Sequence, residues 1–102
     1  MFLDSFFNST YLNLFYSNYD NDYLKLLDEN NFVNVYILLK ENNFYFIEDI
    51  ILNYLELFEI DVIYVEQALL DFKEILGVDY VKQIGNDMKI IDKIIDRAMD
   101  YS

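Results

Sequence analysis

The side chains in this 102-residue chain that could do chemistry are nearly all carboxylates: nineteen Asp and Glu against seven Lys and Arg, with no His and no Cys. Without His or Cys there is no ready proton shuttle at neutral pH, no thiolate nucleophile and no disulfide framework. The hydroxyl nucleophiles Ser5, Ser9, Thr10, Ser17 and Ser102 sit near the two ends with no base spaced to activate them. Gly77 and Gly85 are the only glycines, so no glycine-rich loop can cradle a phosphate. Paired carboxylates such as Glu48 and Asp49 are the right type for acid–base work, but carboxylates on a solvated helix face are poor general acids at neutral pH. Asn18, Asp20, Asp22 and Glu29 match positions 1, 3, 5 and 12 of a calcium loop. Tyr23 stands where that loop needs its glycine and Lys25 where it needs an apolar residue, so helix capping by Asp20 or Asn21 accounts better for these residues. The expectation is a non-enzyme with no cofactor and no metal.

What the carboxylates can do is recognise positive charge. From Glu41 to Asp71 there are eight acidic residues and no Lys or Arg: Glu41, Glu48, Asp49, Glu56, Glu59, Asp61, Glu66 and Asp71. They form the candidate partner-binding set. A net charge of −12 repels nucleic acid and anionic membranes and steers the chain toward basic partners. The competing account is that acidity keeps soluble a chain that is 55% hydrophobic and 19% aromatic.

The elements that must carry these residues read as helices. The chain is one domain by length, and its aromatic and aliphatic content rules against disorder. Residues 1–19 are an aromatic segment with Phe2, Phe6, Phe7, Tyr11, Phe15, Tyr16 and Tyr19. The four-residue step of Phe7, Tyr11 and Phe15 fits a helix from Asp4, its N-cap, to Ser17, although TYLNLFY also fits a short strand. Two short helices follow, Asp22–Glu29 with Tyr23, Leu24, Leu26 and Leu27 inward, and Val33–Glu41. Asn30 and Asn31 end the first, Asn42 and Asn43 the second. The repeated ENNF, at 29–32 and 41–44, reads as two similar corners.

The central acidic hairpin spans 43–77. Its first helix, Phe46–Phe58, carries Ile47, Ile50, Ile51, Tyr54, Leu57 and Phe58 as one wide apolar stripe. Its second, Val62–Leu76, has Asp61 as N-cap, a stripe of Val65, Leu69, Phe72 and Leu76, and Gly77 as C-terminal stop. Asp79–Ile84 reads as a helical turn closed by Gly85. Asn86 then caps a last helix within 86–100, with Ile91, Ile94, Ile95 and Ala98 inward. Lys89, Lys93 and Arg97 run beside Asp92, Asp96 and Asp100, which balances this helix by three- and four-residue ion pairs.

Residues 39–77 resemble one repeat of the mitochondrial transcription-terminator type, a helical hairpin followed by a further helix. Phe44, Ile50, Tyr54, Leu57, Phe58, Val65, Leu69 and Phe72 stand at comparable places. Leu55 replaces that repeat's proline, Asn43 its glycine, and the stretch is acidic where that family is basic, so the resemblance implies hairpin geometry and no function. In size, acidity and lack of Cys and His the chain is also similar to small phage-encoded inhibitors, including anti-CRISPR proteins and DNA mimics.

The resulting expectation is an all-α, compact single-domain bundle of about five to seven short helices, cytoplasmic (in the host cytosol if phage-encoded). The N-terminus lacks a signal peptide's basic region, and no apolar run is long enough to span a bilayer. Its leading function is inhibition of a basic nucleic-acid-binding protein, such as a CRISPR or other defence effector, without direct contact to nucleic acid or membrane. The alternative is an assembly module that forms a homo-oligomer, or docks on another subunit, through the aromatic residues Phe2, Phe6, Phe7 and Tyr11.

Overall fold

Short polar side chains set most of the helix boundaries. The structure, a computed structural model, describes Asp4, Ser5, Phe7 and residues 9–102. Phe2, Leu3 and Phe6 of the aromatic segment lie outside the described residues. In order come α1 (Ser9–Asn18), α2 (Asn21–Leu24), α3 (Glu29–Glu41), α4 (Ile47–Asn53), a 3-10 segment (Leu55–Glu59), α5 (Val62–Leu76), α6 (Tyr80–Asn86) and α7 (Ile90–Tyr101). There is no strand among the described residues, and the all-α bundle of short helices expected from the sequence is what forms.

Two caps fall where the sequence placed them. Asp20 accepts from the Asp22 N–H to start α2, and Asp61 accepts from the Ile63 N–H at 3.0 Å to start α5. Other boundaries moved. α1 begins at Ser9 rather than Asp4, whose carboxylate instead accepts the Tyr16 hydroxyl at 2.7 Å. α2 stops at Leu24, leaving Leu26 85% exposed rather than inward. Asp28 then caps α3 by accepting from the Asn31 N–H, so Asn30 and Asn31 open α3 instead of ending α2. The two ENNF copies are thus opposite ends of one helix. At the second, Asn43 turns left-handed with φ 66°. The Asn43 N–H bonds the Lys40 carbonyl and the Phe44 N–H bonds the Leu39 carbonyl, both at 3.1 Å. That is a Schellman stop, and Asn supplies it because it tolerates the left-handed region better than most residues.

The expected helix 46–58 is broken. The Tyr54 N–H makes a last bond to the Ile50 carbonyl at 2.7 Å, and the chain then winds tighter through Leu55–Glu59 without any proline. This segment packs against both α3 and α4, so Leu55, Leu57 and Phe58 are all buried. Burial on two sides outweighs continuation of a one-sided helix. The side chain of Asn31 holds the corner: its amide donates to the carbonyls of Phe58 and Ile60, and its oxygen accepts from the Val62 N–H at 3.1 Å. One residue of α3 thereby satisfies three backbone groups that a broken helix leaves open.

The core runs the length of the molecule. Phe15 of α1, Phe32 of α3 and Phe58 are fully buried, and the rings of Phe32 and Phe58 stack at 4.8 Å. α7 presents Ile91, Ile94, Ile95 and Ala98 as expected, and its contact with α5 is the most extensive between any two helices. Gly85 lies inside α6 rather than after it. A Cβ there would meet the Tyr45 hydroxyl at 2.6 Å, so glycine lets Tyr45 lie across the helix. Asn86 ends α6, and Asp87 rather than Asn86 accepts from the Lys89 N–H ahead of α7. No helix among the described residues is long and apolar enough to cross a membrane.

Candidate acidic binding surface

The eight carboxylates of the acidic run come to rest in different surroundings. Glu48 and Asp49 occupy the first turn of α4, beside α1. The Tyr11 hydroxyl donates to Asp49 at 3.4 Å, and the Asp49 and Glu48 charges push the Tyr11 phenol up from its ordinary value. Glu56 and Glu59 lie in the 3-10 segment, against Tyr19 and Tyr23. The Tyr23 hydroxyl donates to Glu59. Burial first, then that hydrogen bond and the Glu59 and Glu56 charges, raise the Tyr23 phenol far above its ordinary value. Tyr19 donates to the Leu52 carbonyl at 2.8 Å, and burial with the charges of Glu56 and Glu59 raises it too.

The remaining four are engaged elsewhere. Asp61 is the cap of α5. Asp71 accepts from Arg97 Nε at 3.0 Å and from the Tyr101 hydroxyl, and these bonds hold its carboxyl below the usual range. Glu66 lines a small crevice with Lys73, and Glu41 lies with Lys73 and Asn43 along a shallow cleft near α6. The acidic run is therefore not one patch.

The structure adds two residues that the linear reading missed. After burial, the charges raising the Tyr54 phenol are those of Asp92, Asp87 and Glu56. Asp87 and Asp92 belong to the entry to α7, and Glu56 to the 3-10 segment. The acidic edge is made of Glu48 and Asp49 at the start of α4 and Glu56 and Glu59 in the 3-10 segment, and the charges of Asp87 and Asp92 act with that of Glu56 on Tyr54. The two charged rows of α7 were expected to balance each other, but Arg97 pairs with Asp71 on α5. A periodic charge pattern could show which residues share a helix face, but not that one face meets the end of another helix.

At Asp49 and Glu59 a phenol takes the role usually given to Lys or Arg. A hydroxyl that donates to a carboxylate fixes its position and leaves its full negative charge in place. The edge also has depth at one end. Beside Glu48 and Asp49 opens a cleft of about 400 Å3 walled by Tyr11, Tyr36, Tyr45 and Phe46, with Lys40 Nζ placed 5.7 Å from the Tyr36 ring centroid.

Phe7 and Tyr11, two of the aromatic residues expected to dock on a partner, lie inward or half-inward. Phe7 is buried and its ring stacks on Phe15 at 5.2 Å, while Tyr11 packs against the core from the α1 side. Phe2 and Phe6 lie outside the described residues. The carboxylate of Asp20, from the calcium-like spacing, is engaged by the Asp22 N–H at 3.0 Å. Among the described residues, no three Asp or Glu side chains gather closely enough to hold a metal ion. Comparison of the chain with family models, with curated proteins and with solved structures found no match.

Proposed function

We propose that this chain is a non-enzymatic, acidic binding protein that inhibits a basic nucleic-acid-binding protein by occupying the groove where nucleic acid lies. The observation that carries this reading is that tyrosine hydroxyls donate to two carboxylates of the acidic run, Tyr11 to Asp49 next to Glu48 and Tyr23 to Glu59 in the 3-10 segment that also bears Glu56. Anions positioned by uncharged hydroxyls suit a Lys- or Arg-lined groove, because binding need not break an internal ion pair with them first. Charge of one sign also speeds the encounter. The likeness in size and acidity to phage-encoded inhibitors makes a CRISPR or other defence effector the natural target, met in the host cytosol. In this reading the chain touches neither nucleic acid nor membrane itself.

The test is a pull-down from host lysate eluted by steps of salt, with DNA added as competitor. A nucleic-acid-binding protein should elute at moderate salt and be displaced by DNA. Reversal of Glu48, Asp49 and Glu56 to Lys should abolish its capture. Capture that survives this triple reversal would sink the proposal.

A further inference from the structure

The cleft beside Glu48 and Asp49 joins two kinds of wall, and their combination selects a ligand chemistry. We infer that this cleft receives a guanidinium group, the side chain of an arginine on the partner. The inference rests on the proposed role of the chain as a ligand for a basic protein, and it names the contact at one end of the acidic edge.

Three observations converge. First, the walls are aromatic: Tyr11, Tyr36, Tyr45 and Phe46 line a space of about 400 Å3, large enough to take a whole side chain. The faces of such rings attract cations. Second, Glu48 and Asp49 line the same opening, and the Tyr11 hydroxyl points a long donor contact of 3.4 Å at Asp49. Third, the cleft already hosts a cation from its own chain, since Lys40 Nζ lies over the Tyr36 ring at 5.7 Å. One wall thus takes positive charge, while Glu48 and Asp49 outnumber the single lysine.

Arginine fits this combination better than lysine. Its planar group stacks on ring faces, presents a fork of donors to a carboxylate, and gives up water more readily than an ammonium. Tyr45 is the rim that would close over it. The ring is 72% exposed, stands edge-on to Phe46 at 4.9 Å, and is set by the absence of a side chain at Gly85. A large aromatic ring held at the mouth of an acidic cleft is the residue type that dominates binding energy at interfaces.

The experiment uses the full chain, labelled with 15N, and two probes: N-acetyl-arginine methylamide and its lysine counterpart. Arginine should shift the amides of residues 44–49 and saturate at a lower concentration than lysine. Glu48→Gln and Tyr45→Ala should each weaken arginine binding by about threefold to tenfold. Both sites tolerate change without loss of core, which circular dichroism checks. Lys40→Met removes the resident cation and should strengthen arginine binding severalfold. The inference is overturned if shifts appear as strongly at Glu66 and Asp96 as at the cleft, if lysine matches arginine, or if neither Glu48→Gln nor Tyr45→Ala changes the titration. Failure of the cleft is separable from failure of the proposed function. A captured partner that is lost on charge reversal but kept by Tyr45→Ala overturns the cleft alone. Arginine seated in the cleft while capture survives charge reversal overturns the inhibitor reading alone.

Discussion

Two helix contacts in this molecule solve the same problem by different chemistry. At the contact of α5 with α7, the acidic helix is closed by Arg97 and Tyr101, which both donate to Asp71. At the contact of α1 with α4, phenols donate: Tyr11 to Asp49 and Tyr19 to the Leu52 carbonyl. The supply of cations explains the difference. Lys73, Lys82, Lys89, Lys93 and Arg97 serve the C-terminal third, whereas Lys25 and Lys40 serve all the rest. A tyrosine can bury its ring in the core and still offer a hydroxyl to a surface carboxylate. On the N-terminal side Asp4, Asp49 and Glu59 are thus held by phenols that bring no positive charge. The C-terminal side neutralises part of its own negative charge.

Core truncation should break this comparison most strongly. Phe15→Ala on the α1 side should cost about 3–5 kcal/mol and Ile94→Ala on the α7 side about 2–5 kcal/mol, read from urea unfolding followed by circular dichroism. Against a total of about 5–15 kcal/mol for a domain of this kind, either loss is large. A cost below about 1 kcal/mol for Phe15→Ala would mean that α1 is not part of the cooperative fold.

Asn31 serves as the control between the two sides. Replacement by Leu leaves the carbonyls of Phe58 and Ile60 and the N–H of Val62 without their partner. The expected cost is about 1–3 kcal/mol, and hydrogen exchange should rise at the 3-10 segment and the start of α5 in particular.

pH should separate the two contacts more finely. The phenols of Tyr11, Tyr19 and Tyr23 are raised above their ordinary value of 10.0, so the folded state holds their protons more firmly than the unfolded state. Their contribution is complete below the unfolded value and is lost as pH rises through the folded values. The α1–α4 side should therefore loosen first in alkali, and Tyr19→Phe should reduce the pH dependence there. Asp71 is lowered from 3.8, so its contribution is present above that value and is lost as pH falls through the folded one. The α5–α7 side should loosen in acid. Hydrogen exchange at Phe15 and Ile94, followed across both ranges, distinguishes this order from a uniform loss.

The smallest effect should come from Arg97→Gln. Its side chain is 51% exposed, and an exposed pair contributes little and is screened by salt. The change in urea midpoint should be slight at low salt and vanish at high salt.

Much of the fold was legible because it rests on local rules. The stripe of Ile91, Ile94, Ile95 and Ala98 is helical periodicity, and Asp20 and Asp61 are N-caps whatever the rest of the chain does. Legibility ended where one residue answers to a distant segment. Asn30 and Asn31 look like a helix stop, yet Asn31 is the bracket for a corner 27 to 31 residues away. Gly85 looks like a terminus, yet it is a clearance for Tyr45. The stripe from Ile47 to Phe58 looks like one helix, yet it is cut at Tyr54 because the next residues are buried on two sides.

The acidic surface divides along the same line. Composition and spacing alone determined the sign of the charge, its concentration between Glu41 and Asp71, and the helical elements that bear it, because net charge and amphipathic period are properties of the chain itself. Tertiary structure alone decided which carboxylates act together. It turned Asp71 toward Arg97, used Asp61 as a cap, and set the Tyr11 hydroxyl on Asp49 and the Tyr23 hydroxyl on Glu59. The physical reason is range: a cap or a stripe is set within a few residues, whereas a charged neighbourhood is set by whatever the core packing carries within a few ångströms.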